Sequence, residues 1–144
     1  MSERGVSPVF YKGIDINKRF IDICSGLYPE NDFEARDILK EPFSGSVADI
    51  GVMFGVMNFN FKEVIDNMAY ARNFITRAFF SVRECLIVDM LSDRLSGDYD
   101  KEDFVFYYAP EEMLRFCLSL TDNVVLKHDY RPIPQKEFML ILKR

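Results

Sequence analysis

Residues 84–91 read ECLIVDML, a run almost wholly apolar and too short for a buried helix. Such a run reads as a strand covered on both faces, as in a parallel sheet with helices above and below. Working outward, the hydrophobic period alternates between two and 3.6. Immediately upstream, residues 62–80 place Val64, Ile65, Met68, Ala69, Ile75, Ala78 and Phe79 on one helical face. Before that helix, ADIGVMF at 48–54 is another apolar strand, reached through the loop DILKEPFSGS with Pro42 and Gly45 as breakers. Asp32–Arg36 is a short strand. A helix over 17–27 can be capped by Asn17 and gathers Phe20, Ile21, Cys24 and Leu27 on one side. The run Val9–Asp15 (VFYKGID) is a buried strand that ends on an acidic residue.

Downstream of 84–91 come the charged loop SGDYDKED and the aromatic run FVFYYA. Pro110, followed by Glu111 and Glu112, then starts a helix favoured by proline geometry and by the helix dipole. It turns Met113, Leu114, Phe116, Cys117 and Leu120 inward and ends at TDN. Two strands, VVLKHDY and EFMLILK, are joined by RPIPQ, a link short enough to make them antiparallel neighbours. The order is strand, helix, strand, loop, strand, helix, strand, helix and a terminal strand pair, which is an α/β class of fold.

A chain of 144 residues with 49% hydrophobic content can bury one sizeable core, so residues 1–144 are expected to form a single α/β domain. A net charge of -5 argues against a broad nucleic-acid-binding surface, which needs clustered Lys and Arg. No 18-residue apolar stretch and no basic-then-apolar leader occur, and a soluble, cytoplasmic chain is expected. Cys24, Cys85 and Cys117 are widely spaced, each in an apolar stretch and without a CxxC or Cys/His pattern, so they read as buried free thiols and no metal is expected.

Taken together, YKGIDIN, ARDIL, DIGVMFGVMNF, ECLIVDML, APEEM and the closing EFMLILKR resemble the class I S-adenosylmethionine-dependent methyltransferases. The resemblance rests on the order and spacing of these segments across nearly the whole chain. It implies a Rossmann-like sheet closed by a C-terminal antiparallel strand pair, with S-adenosylmethionine as cofactor. In that family a strand, a glycine-rich loop and a helix come first, and the loop holds the methionine part of the cofactor. No equivalent is present here; SERG at 2–5 resembles the end of that helix, stopped by Gly5. The expectation is a methyltransferase-like domain incomplete at its N-terminal unit, lacking about 25 residues. The absent strand would lie between the strands at 9–14 and 48–54. The gap is then closed by direct pairing of those two, or filled by a second chain in a homodimer.

The resemblance also implies site residues. Asp15, with Ile16 beside it, stands where a carboxylate accepts from the ribose hydroxyls, although it can equally start the following helix. Asp37 and Ile38 stand at the adenine position, or in an ordinary turn. Phe54 and Gly55 lie beside the cofactor at a strand end, where glycine permits close approach, or form a plain turn. Asn58 and Phe59, with Phe61 beyond, fall where substrate is met, yet GVMNFNF is not the Asn-Pro-Pro-aromatic motif of enzymes that methylate base amino groups. Phe104–Tyr108 would line a substrate pocket or the core, and His128 would act as a general base or pack structurally. No catalytic side chain is singled out. Three readings stay open: a methyltransferase, or a fragment of one, acting on a small-molecule or unknown acceptor; a non-catalytic binding or assembly module; and a nicotinamide-dependent oxidoreductase fragment, against which the terminal antiparallel pair counts.

Overall fold

Strand β4 organises the larger part of the chain. The computed structural model describes residues 10–95, 100–130 and 136–144. Its elements are β1 (Lys12–Asp15), α1 (Lys18–Leu27), β2 (Asp32–Ala35), β3 (Ala48–Met53), α2 (Asn67–Phe80), β4 (Val82–Leu91), α3 (Pro110–Leu118), β5 (Val124–Lys127) and β6 (Glu137–Lys143), in the order expected from the sequence. They form two units, Met1–Pro42 and Phe43–Arg144. SERG with Gly5, Val9, residues 96–99 of the charged loop and the RPIPQ link lie outside the described residues.

In the second unit the strand order is β3-β4-β6-β5. β3 runs parallel to β4, with Val52 beside Ile87, while β6 is antiparallel to both β4 and β5. Leu86, Val88 and Met90 pair with Leu142, Leu140 and Phe138, and all six side chains are fully buried. α2 packs on β4 and α3 on β5 and β6. The two helices lie side by side, for Arg72 of α2 pairs with Glu112 of α3 at 3.2 Å and lies over the Phe116 ring. Ala71, Ile75, Ala78, Phe79, Met113 and Cys117 complete this core. The opposite face is more open, with Ile87 and Ile141 only half-buried. β4 is therefore apolar because one face is sealed by helices and both its edges are paired, and not because helices of this unit cover both faces.

The helix expected over 62–80 starts only at Asn67. Lys62 and Glu63 have φ of 43° and 60°, a left-handed backbone that no α-helix continues through. Asp66 then caps α2, its carboxylate accepting from the N–H groups of Met68 and Ala69. Val64 and Ile65 consequently lie in a turn, and Val64 is 84% exposed. α3 begins at Pro110 as expected, with Glu111 and Glu112 in its first turn.

In the first unit, β1 and β2 form a parallel pair, and Asn17 caps α1 by accepting from Arg19 N–H. Gly13 is required there: a Cβ would stand 2.5 Å from Phe33 Cδ1. Lys12 holds Asp32 at 2.7 Å and Glu34 at 2.9 Å. The strand starts at Lys12, and it is not the buried strand its apolar run suggests, since Phe10, Tyr11 and Ile14 are exposed. Of the expected inner face of α1, Ile21 is buried and Cys24 half-buried, while Phe20 and Leu27 are exposed. Among the described residues β1 and β3 each have one parallel partner, delivered by a helical crossover: β2 for β1 and β4 for β3.

Truncating the buried Leu140 to Ala is expected to destabilise the fold by about 2–5 kcal/mol in urea unfolding, whereas Val64→Ala should change it by less than about 0.5 kcal/mol.

Candidate functional site

Open α/β sheets bind ligands beyond the carboxyl ends of their parallel strands, and most of the residues singled out in the sequence stand there. At the end of β1, Asp15 is exposed, and its Oδ1 accepts from Asn17 N–H at 2.7 Å. The helix-starting role is thus real, and Oδ2 has no described partner. Ile16 beside it is 70% exposed. Past β2, Asp37 Oδ1 accepts from Leu39 N–H at 3.0 Å, Oδ2 faces Lys40 at 3.5 Å, and Ile38 is half-buried. Both carboxylates shape the turns in which they sit.

In the second unit β3 runs into the segment Phe54–Phe61. Gly55 has φ of 68°, which only glycine adopts without strain, and nothing lies within 4 Å of where its Cβ would be. Its N–H donates to Asp89 Oδ1 at 2.7 Å. Further along, Met57 C=O accepts from the buried Tyr108 hydroxyl at 2.8 Å. Asn58 Oδ1 accepts from Leu91 N–H at 3.3 Å, and Asn58 C=O from Phe106 N–H at 3.0 Å. Asn67 donates to Phe59 C=O and accepts from Phe61 N–H. The segment is therefore braced to β4, α2 and the 104–108 run. Asn58 commits its amide oxygen to that bracing and keeps its N–H groups; Phe54 and Phe59 are exposed.

The run Phe104–Tyr108 divides. Val105 and Tyr108 are core residues, Tyr108 with its hydroxyl pushed up to about 12 by burial. Val105, Phe106 and Tyr107 line a shallow depression with Asn60, Lys62 and Lys101. His128 packs edge-on against Phe138, with ring centres 6.1 Å apart, and its buried Nε2 has no hydrogen-bond partner among the described residues. Burial, aided by the charge of Lys136, lowers its pKa. This geometry gives His128 a packing role. Cys24, Cys85 and Cys117 are free thiols, but only Cys117 is buried, which pushes it up to about 12, while Cys24 and Cys85 are half-buried.

Sequence reasoning passed over Asp89, Tyr130 and Glu137. Asp89 sits half-buried in β4, and burial raises its carboxyl above the ordinary range, with the Gly55 N–H partly offsetting this. Glu137 is raised by burial and then by the charge of Asp89, and the Tyr130 hydroxyl is pushed up to about 12, chiefly by burial. The signal was available: an acidic residue inside ECLIVDML is rarely buried without a reason.

No family model and no curated protein matches this sequence. Solved structures do match. The magnesium protoporphyrin IX methyltransferase ChlM from Synechocystis PCC 6803, with bound SAM, superposes with a TM-score of 0.66 over 94% of this chain at 11% identity, and its complex with SAH with 0.68. The small RNA methyltransferase HEN1 matches 92% of the chain (TM-score 0.59, 16% identity, 20% of its own length). An rRNA methylase from Streptococcus thermophilus matches 92% (TM-score 0.52, 10% identity, 74% of its own length). This chain thus has the class I methyltransferase fold, and it spans 59–64% of the length of ChlM.

Because the folded pKa of Asp89 is raised, ionising it costs stability in the fold that it does not cost in the unfolded chain. Wild-type stability should therefore fall as pH rises from about 4 through the folded pKa. Asp89→Asn keeps an acceptor for Gly55 N–H and lacks the charge, so its melting temperature should gain on that of the wild type between about pH 4 and 7. Parallel melting curves across that range would contradict the assignment.

Proposed function

We propose that this chain is an S-adenosylmethionine-dependent methyltransferase, or part of one, that delivers a methyl group to a small-molecule acceptor. The observation that carries the reading is the likeness of fold, over 94% of the chain, to a methyltransferase holding SAM. The chemistry of the residues fits the group. Asp15 is exposed, and its second carboxylate oxygen, which has no partner among the described residues, would accept from ribose hydroxyls. Asp37 and Ile38 would meet the adenine, and the open space at Gly55, beside the exposed Phe54, admits a ligand close to the backbone. Asn58 retains amide donors for an acceptor molecule, with Phe59 as an apolar wall.

The cofactor would supply an electrophilic sulfonium methyl. The work of the chain is to bind, orient and exclude water, which requires no general base. The neighbours act on acceptors as different as a porphyrin and RNA, by their descriptions. A net charge of -5 favours an acceptor that is not held by its phosphates. A homodimer is part of the reading, with a second copy covering the open side of the sheet. A non-catalytic binding or assembly module is the second reading, and the exposed side chains of Ile50 and Val52 in β3 are the observation that favours it. The antiparallel β5–β6 pair weighs against a nicotinamide-dependent enzyme.

Calorimetry tests the ribose assignment. Adenosine is expected to bind about as tightly as S-adenosylmethionine, because the contacts proposed here are to the nucleoside. Asp15→Asn preserves the turn with Asn17 N–H while removing the charge, and should weaken adenosine binding about tenfold, or ~1.4 kcal/mol. A wild-type chain that binds neither ligand, or an unchanged affinity in the variant, would overturn it.

A further inference from the structure

We propose that Asp89 is the positioning residue of the Phe54–Gly55 turn, and that ligand is held there better when this side chain is a carboxylate than when it is neutral. The proposal rests on the nucleoside reading above and assigns a further residue to it.

The segment after β3 is anchored unequally. Its far end is held by three neutral bonds: Asn58 Oδ1 accepts from Leu91 N–H at 3.3 Å, Asn58 C=O from Phe106 N–H at 3.0 Å, and Met57 C=O from the Tyr108 hydroxyl at 2.8 Å. At the near end, Gly55 N–H donates to Asp89 Oδ1 at 2.7 Å, the only side-chain hydrogen bond to Phe54–Val56 among the described residues. That bond fixes a backbone with φ of 68°. With its amide tied to β4, Gly55 keeps open space where a Cβ would stand, which admits a ligand close to the backbone. A carboxylate holds an N–H more strongly than a neutral oxygen does. The near end is therefore the one whose order depends on a charge.

The choice of side chain is the second argument. Asp89 lies half-buried inside an otherwise apolar stretch of β4. It stands opposite Met139, and Leu91 stands opposite Glu137, so Glu137 is its diagonal neighbour on the same face. Tyr130, beyond β5, is the other titratable group that feels its charge. Among the described residues no Lys or Arg acts on Asp89, and burial opposes its ionisation. An asparagine would satisfy Gly55 N–H from the same place without that cost. A charge held against the stability of the fold is the mark of a functional position.

Asp89→Asn separates the two roles, because they move in opposite directions. At about pH 7 the variant should melt higher than the wild type and yet bind adenosine roughly three- to tenfold more weakly, the difference between a charged and a neutral acceptor. By calorimetry the two affinities should converge as pH falls toward about 4, where Asp89 is protonated. The wild type provides a second readout without any substitution. Linkage requires saturating adenosine to lower the pH at which the Gly55 amide, followed by NMR, reports the titration of Asp89. Equal affinities of wild type and Asp89→Asn at about pH 7, a ratio that stays constant with pH, or a Gly55 titration that adenosine leaves unmoved would overturn this inference alone. A wild-type chain that binds no adenosine would overturn the nucleoside reading and this inference with it.

Discussion

The backbone ladder on both sides of β4 is the constraint from which the larger unit follows. A strand buried for most of its length needs partners along both edges, or its backbone polar groups are left unsatisfied. β4 meets that condition through β3 on one side and β6 on the other, and its alternation then fixes which face the helices can seal. Leu86, Val88 and Met90 point into that core; Asp89, between two of them, points to the other face and is free to hold Gly55. One strand thereby sets the core and, through Asp89 and Leu91, the placing of Gly55 and Asn58 at the sheet end. β3 depends on β4 for its only partner among the described residues.

The elements legible in the sequence were those whose pattern is local. Asn17 and Pro110 mark helix starts through their own chemistry, and the alternation in EFMLILK reads directly as a strand. The start of α2 was not legible because it is decided by the left-handed backbone at Lys62 and Glu63, which neither residue type announces. The exposure of Phe10, Phe20 and Leu27 was hidden for another reason: periodicity reports which residues share a face, and not whether anything covers that face.

The site was legible in part, and for a comparable reason. Asp15, Asp37 and Gly55 sit at strand ends, positions that element order alone can find. What those groups do locally requires geometry: both carboxylates cap turns, and Gly55 is bound to a carboxyl 34 residues away in the chain. Asn58 is the instructive case. Its place suggested a substrate contact, whereas its amide oxygen braces Leu91 and only its N–H groups remain. Solved methyltransferases share the fold at 10–16% identity, so the architecture is kept with almost none of the side chains, and the acceptor has to be argued from the residues of this chain.

The central claim is that the carboxyl ends of the parallel strands take a nucleoside. A two-dimensional amide NMR titration with adenosine addresses it directly, residue by residue. Shifts are expected to concentrate at Ile16, Ile38, Phe54 and Gly55, with the amides of Lys101–Tyr107 unmoved. Shifts confined to Lys101–Tyr107, or no saturable shift at those four amides, would contradict it.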